Sequence, residues 1–111
     1  MSQLSEFHII DLRKYIIRPR CMHEFLQYFD ELAMPLLMKH LGNPIGFYTT
    51  TIGTLNQFVH IWQYTDLADY ERRSNARDQD PAFSKYLQAT KDLVISQDNQ
   101  IIKKVVMKNQ H

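Results

Sequence analysis

The chain has 111 residues, 44% of them hydrophobic, which is enough for one domain around one core and not for two. Its formal charge is +1, with 13 Lys and Arg against 12 Asp and Glu mixed along the sequence, so it lacks the concentrated basic surface that nucleic acid demands. No apolar run approaches the roughly 20 residues that span a bilayer, and Cys21 is the single cysteine, which excludes an internal disulfide and a cysteine-based zinc site.

Met1–Glu6 shows neither the basic and apolar regions of a signal peptide nor the Arg-rich pattern of a transit peptide. The expected location is the cytoplasm. Phe7 to Ile17 alternates as a strand does, with Ile10, Leu12 and Ile16 on one face and Lys14 as their exception. Ile9, Asp11, Arg13, Tyr15 and Ile17 take the other face. Arg18-Pro19-Arg20 ends the strand, because proline cannot donate to a ladder. Apolar residues at Met22, Phe25, Leu26, Phe29, Leu32, Ala33, Leu36 and Leu37 then predict a helix from about Cys21 to Leu41. Pro35 removes a backbone donor and is expected to kink it near Glu31, and Gly42 stops it.

Ile45 to Ile52 is rich in aromatic and β-branched residues and reads as a second strand. Gly53 to Gln57 turns the chain, with Asn56 suited to left-handed geometry. The third strand ends at Tyr64 and is apolar on both sides: Phe58, His60, Trp62 and Tyr64 alternate with Val59, Ile61 and Gln63. Asp66 is an N-cap candidate for a second helical region. Asp69, Arg73 and Arg77, four apart, read as an ion-paired, solvated helix face, with an anion-binding patch as the sharper alternative. Asp80-Pro81 is a fresh cap ahead of a short stripe at Phe83, Tyr86 and Leu87. The last strand is expected over Asn99 to Met107, and Lys108 to His111 reads as a tail.

The order strand, helix, strand, strand, helix, strand predicts a ferredoxin-like α+β fold: one domain over 1–111, its core about 7–107, with both helices on one face of a four-stranded antiparallel sheet. A two-sided strand needs a second cover, which a second copy of the chain would supply. The expected arrangement sets Ile10, Leu12, Val59 and Ile61 against the helices. Asp11, Arg13, Tyr15, His60, Trp62 and Tyr64 then face the partner subunit in a homodimer formed through the sheet face.

Several segments in this order resemble the NIPSNAP family. They are Leu12-Arg13-Lys14-Tyr15 with Pro19, Lys39-His40 before Gly42, Gly46-Phe47, Ile52-Gly53-Thr54-Leu55-Asn56-Gln57, Val59-His60-Ile61-Trp62 with Tyr64, and Asp80-Pro81-Ala82-Phe83. The resemblance runs from about Phe7 to Val106. It implies a dimeric α+β barrel in which two such sheets face each other. Barrels of this type enclose small-molecule sites, some of them in monooxygenases that need no cofactor. Two positions depart from the family pattern: Arg20 stands where a glycine usually follows Pro19, and Tyr70 where an arginine is expected.

The candidate site follows from the expected inner face. His60 is placed as acid or base, with a pKa suited to neutral pH, and Arg13 as the holder of an anion or oxyanion. Tyr15, Asn56, Trp62 and Tyr64 are the further ligand contacts. The plainer reading makes Asp11 and Arg13 an ion pair that fixes the dimer and His60 a structural histidine. His8, His23, His40 and His111 lack metal-ligand spacing, and no catalytic triad, phosphate loop or dinucleotide fingerprint is present. No metal and no cofactor are therefore expected. The functional expectation is a NIPSNAP-type homodimer with a small-molecule-binding barrel interior and no membrane insertion. Its alternatives are a cofactor-independent oxygenase or isomerase acting on an aromatic or polyketide-like compound, and a non-enzymatic protein-interaction module.

Overall fold

Four strands and their helices appear in the expected order in a computed structural model that describes residues 6–109. Met1–Ser5, Gln110 and His111, with the readings made on them, lie outside the described residues. Strand β1 (Ile9–Ile17) leads into α1 (Met22–Tyr28), a π-helical turn (Phe29–Ala33) and α2 (Met34–His40). Strands β2 (Pro44–Thr49) and β3 (Gln57–Tyr64) form a hairpin, followed by α3 (Leu67–Gln79), α4 (Pro81–Thr90) and β4 (Val94–Lys103). The sheet order is β2-β3-β1-β4 with every neighbouring pair antiparallel, the ferredoxin-like arrangement.

Pro35 does distort the first helical run, and the distortion takes a definite form. Having no N–H, Pro35 leaves the carbonyl of Glu31 without its helical donor. The turn ahead of it widens, and Met34 N–H donates to the carbonyl of Phe29, five residues back. The extra residue lets both halves bury their apolar stripes: Phe25 and Phe29 before it, Leu36 and Leu37 after it.

Gly42 closes α2 at φ +82°, where a Cβ would sit 3.1 Å from Nη1 of Arg73. That same nitrogen donates to the carbonyls of His40 and Leu41 at 3.2 and 3.5 Å, satisfying the end of the helix. Asp69, buried, accepts from Arg72, Arg73 and the Thr65 amide at 2.7 to 3.0 Å. This corrects the expectation of a solvated face: Asp69 and Arg73 are a joint between α3 and α2. Arg77 points elsewhere, over the ring of Phe83 at 5.0 Å.

Three boundaries move. The second strand ends at Thr49, and Thr50 to Asn56 form the connection, with Asn56 left-handed at φ 61°. Strand β4 begins at Val94, five residues ahead of the expected start at Asn99. Its first half, Ile95-Ser96-Gln97-Asp98, is too polar to signal a strand by composition, yet it pairs along the edge of β1. Val105 to Met107 lies beyond its end.

The larger correction concerns the faces. Tyr15, Ile17, Phe58, Trp62 and Tyr64 form one buried cluster with Phe25, Phe29, Leu36, Leu37, Leu41 and Tyr86. The aromatic side of the sheet therefore lies under the chain's own helices, and Asp11, Arg13 and His60 lie there with it. Ile10, Leu12, Val59 and Ile61 face outward, where they are only partly covered. Magnitudes explain the choice. Each large aromatic buried contributes on the order of 2–3 kcal/mol, and four of them on this face outweigh the several kcal/mol needed to desolvate one well-paired ion pair.

Candidate functional site

Alternation along β1 and β3 sets the polar groups of the buried face in cross-strand pairs. Asp11 lies opposite Trp62, Arg13 opposite His60, and Tyr15 opposite Phe58. Arg13 donates from Nη1 to Oδ2 of Asp11 at 3.1 Å. With the Asn99 amide turned so that its oxygen faces the guanidinium, the same nitrogen donates to Oδ1 of Asn99 at 3.2 Å. Burial opposes the charge on Arg13, but the Tyr15 hydroxyl and Asp11 more than offset it, so the guanidinium stays protonated. For Asp11 burial prevails over the attraction of Arg13, and its pKa is raised. Oδ1 of Asp11 and the Tyr64 hydroxyl have no hydrogen-bond partner among the described residues.

His60 is set differently from the expectation. Trp62 donates its indole N–H to Nδ1 of His60 at 2.8 Å, which assigns the ring proton to Nε2. Tyr15 and Phe29 meet the imidazole edge-on at 4.9 and 5.2 Å, and Phe58 stacks at 5.3 Å. Burial first, then the charges of Arg13 and Arg77, lower its pKa to about 3. The premise that it titrates near neutral pH does not hold. His60 is a neutral core histidine.

Beside this cluster, between the sheet and α4, lies a cavity of about 270 Å³. Arg13 and Tyr15 form part of its floor, Phe83, Tyr86 and Leu87 its helical wall, and Lys91 and Gln97 also line it. It exists because α4 covers β1 while leaving part of β4 bare: Ile95 to Lys103 is exposed throughout. A second hollow of about 280 Å³, among Leu26, Phe29, Met34, Phe47 and Phe58, is almost wholly apolar, with Asp30 its single charge.

Of the residues expected at a site, Arg13, Tyr15, His60, Trp62 and Tyr64 share one face, but only Arg13 and Tyr15 reach the cavity that holds a buried charge. Asn56 stands apart at the hairpin end, its carbonyl accepting from Ile17 N–H at 2.8 Å. The sequence placed Tyr86 in an apolar stripe and Asn99 at the start of a strand, but gave none of Tyr86, Lys91, Gln97 and Asn99 a place in a site. The stripe Phe83, Tyr86, Leu87, extended one turn to Thr90, was the available signal for the wall; nothing signalled Gln97, because the first half of its strand was not recognised, and Asn99 was read only as that strand's start. Among the described residues, no three His, Cys, Asp or Glu side chains gather as a metal-binding set.

Residues 10–107 match the family described as NIPSNAP. The chain belongs to the NIPSNAP family. Its fold is similar to that of a NIPSNAP family protein of unknown function from Agrobacterium tumefaciens, with 24% identity, a TM-score of 0.86 and 94% of each chain covered. A NIPSNAP-like domain protein from Burkholderia xenovorans is 32% identical, with a TM-score of 0.84 over 96% of this chain and 90% of that one. A putative antibiotic biosynthesis monooxygenase from Bacteroides thetaiotaomicron shares the fold at 20% identity and a TM-score of 0.65, covering 96% and 98% of the two chains. A search of curated proteins found no match. Within this NIPSNAP chain, Arg20 holds the left-handed conformation, φ 69°, that glycine adopts more readily, and Tyr70 packs edge-on against Tyr64 at 5.3 Å. No helix among the described residues is long and apolar enough to cross a membrane.

Proposed function

We propose that this NIPSNAP chain is a cytoplasmic small-molecule-binding protein that works as a homodimer, with the ligand held between sheet and helices in each subunit. One observation carries the reading: a buried cation, Arg13, opens onto a cavity of about 270 Å³ walled by Tyr15, Phe83 and Tyr86. Apolar walls with a few convergent polar groups are the usual form of a ligand site. The cavity replaces the barrel interior as the place for the ligand.

The homodimer is supported by the sheet's other side. The molecule is only 19 Å thick, two layers, and its helices lie on one face. Ile10, Leu12, Ile16, Val59 and Ile61 lie on the outward face of β1 and β3, interrupted by Lys14, Gln57 and Gln63, with Tyr48 and Ile102 on the flanking strands half exposed. A flat β-branched face of this kind suits packing against another sheet.

A binding role fits the cavity better than acid–base catalysis. The cavity's own phenol Tyr86 has a pKa raised by burial, which makes it a poor base at neutral pH, and His60 does not line the cavity. An oxygenase or isomerase would have to use Tyr15 or a substrate that ionises by itself. Native mass spectrometry of the purified protein tests the proposal. A mass of two subunits with a co-purified small molecule is the expected result. A monomer, or a dimer whose cavity takes up no member of a fragment library, would count against it.

A further inference from the structure

The cavity's electrostatics go further than its shape. Its lining carries two cations, Arg13 and Lys91, and no acid. Asp11 neutralises part of the Arg13 charge, but it is wholly buried and does not line the space. Arg13 donates from Nη1 to the oxygens of Asp11 and Asn99 and also hydrogen-bonds the Tyr15 hydroxyl, and a guanidinium has five N–H donors in a planar fork. Apart from Gln97 and the phenols of Tyr15 and Tyr86 the remaining walls are apolar, and Thr90 donates its hydroxyl to the carbonyl of Tyr86 at 2.9 Å. Volume sets the scale. About 270 Å³ is just below the ~300 Å³ at which drug-sized pockets begin, and at ~30 Å³ per water-sized unit it takes on the order of ten heavy atoms.

We propose that this cavity binds a small monocarboxylate with an aromatic or compact apolar body, its ring among Tyr15, Phe83 and Tyr86 and its carboxylate directed to Arg13 and Lys91. The assignment rests on the ligand-binding reading above and narrows it to one chemical class. A planar carboxylate matches the guanidinium fork and gains charge-assisted hydrogen bonds in a partly desolvated setting. A neutral isostere of the same shape would fill the same walls but bring no charge to Arg13 and Lys91. A nucleotide exceeds this volume and would have to extend beyond the lining residues. Cations are excluded by the sign of the lining.

The full-length protein, labelled with ¹⁵N, would be titrated with benzoate and phenylacetate and, in parallel, with benzamide and phenylacetamide. The acids are expected to give saturable shifts concentrated in residues 83–97, with the amides at least tenfold weaker. Lys91→Gln should weaken benzoate several-fold, and Leu87→Trp, at an exposed position on the wall, should block both series without disturbing the core. Arg13→Gln should abolish the preference for the acid. Since that variant touches a buried pair and risks misfolding, Lys91→Gln and Leu87→Trp carry the test independently. Amides binding as tightly as acids would overturn the carboxylate assignment and leave the cavity as a ligand site. No saturable shift with either series, in a protein with a folded spectrum, would overturn both.

Discussion

The indole N–H of Trp62 and Nδ1 of His60 are joined at 2.8 Å across a two-residue step on β3, inside the core. This one bond fixes the tautomer of His60 and removes the nitrogen with which it would accept a proton. Its folded pKa, about 3, lies well below the ordinary 6.5. Between those values the unfolded chain binds a proton that the folded chain does not. Stability should therefore be full above pH 6.5 and fall as pH drops toward 3, with a slope of about 1.4 kcal/mol per pH unit at most. Urea melts at a series of pH values check the slope, and His60→Phe should flatten it. A His60 ¹⁵N spectrum should show Nε2–H and no titration from pH 5 to 8.

Asp11 and Arg13 should behave as a unit. Replacing Asp11 with Asn leaves a buried guanidinium with a weaker partner, and by analogy with other buried pairs the loss is on the order of 3 kcal/mol. Replacing Arg13 with Met at the same time should recover most of it. Denaturant unfolding of the two single variants and the double variant gives the coupling directly. Additive losses would mean that the pair contributes nothing as a pair.

The open face of the sheet should respond to charge. Leu12→Glu or Ile61→Glu puts a carboxylate in the centre of the outward patch, where a homodimer would bury it at a cost of several kcal/mol. Sedimentation should show a shift to monomer, while the circular dichroism of the helices stays unchanged. Lys103→Glu, at the end of edge strand β4, serves as the control and should leave the assembly alone.

Arg20 and Gly42 are opposite cases of the same backbone region. Arg20, at φ 69°, carries a side chain where one costs roughly 1 kcal/mol, so Arg20→Gly should be neutral or raise stability by up to about that amount. Gly42, at φ +82° and close to Arg73, should lose about 1–2 kcal/mol on substitution by Ala. Thermal unfolding of both variants tests the pair.

Asp80 joins two helices: it accepts from His40 Nε2 at 2.8 Å and, as the N-cap of α4, from Ala82 N–H at 2.9 Å. The hydrogen bond from His40 is the main reason that its pKa is lowered. A carboxylate depressed in this way stabilises the fold above its unfolded pKa and ceases to as pH falls through the folded value. Asp80→Asn should keep the cap and lose the pH-dependent part; Asp80→Ala should lose both, seen as the larger fall in melting temperature.

The element order, the caps at Asp66 and Asp80, the stop at Gly42 and the left-handed Asn56 were all legible in the sequence, because each depends on a short-range rule. The face assignment was not. Period-2 alternation separates two sets of residues without saying which set the helices cover, and the charges on Asp11 and Arg13 pointed the wrong way. The better signal was size: Phe58, Trp62 and Tyr64 match the aromatic stripe of Phe25, Phe29 and Tyr86, whereas Ile10, Leu12, Val59 and Ile61 form a flatter surface. The cavity was illegible for a different reason. It depends on the gap between α4 and an edge strand whose first half looks like a loop, so Arg13 and Tyr15 could be named from sequence but Lys91 and Gln97 could not.

The widened turn at Phe29–Ala33 also sets how this chain can change length. An α-helix advances about 100° per residue, but this turn already holds one residue more than a regular turn, so a deletion there would take up the extra residue and leave Leu36, Leu37 and Leu41 facing the interior. Insertions in the connection between β2 and β3 should pass almost unnoticed. A single-residue deletion within α1, which has no such slack, should not.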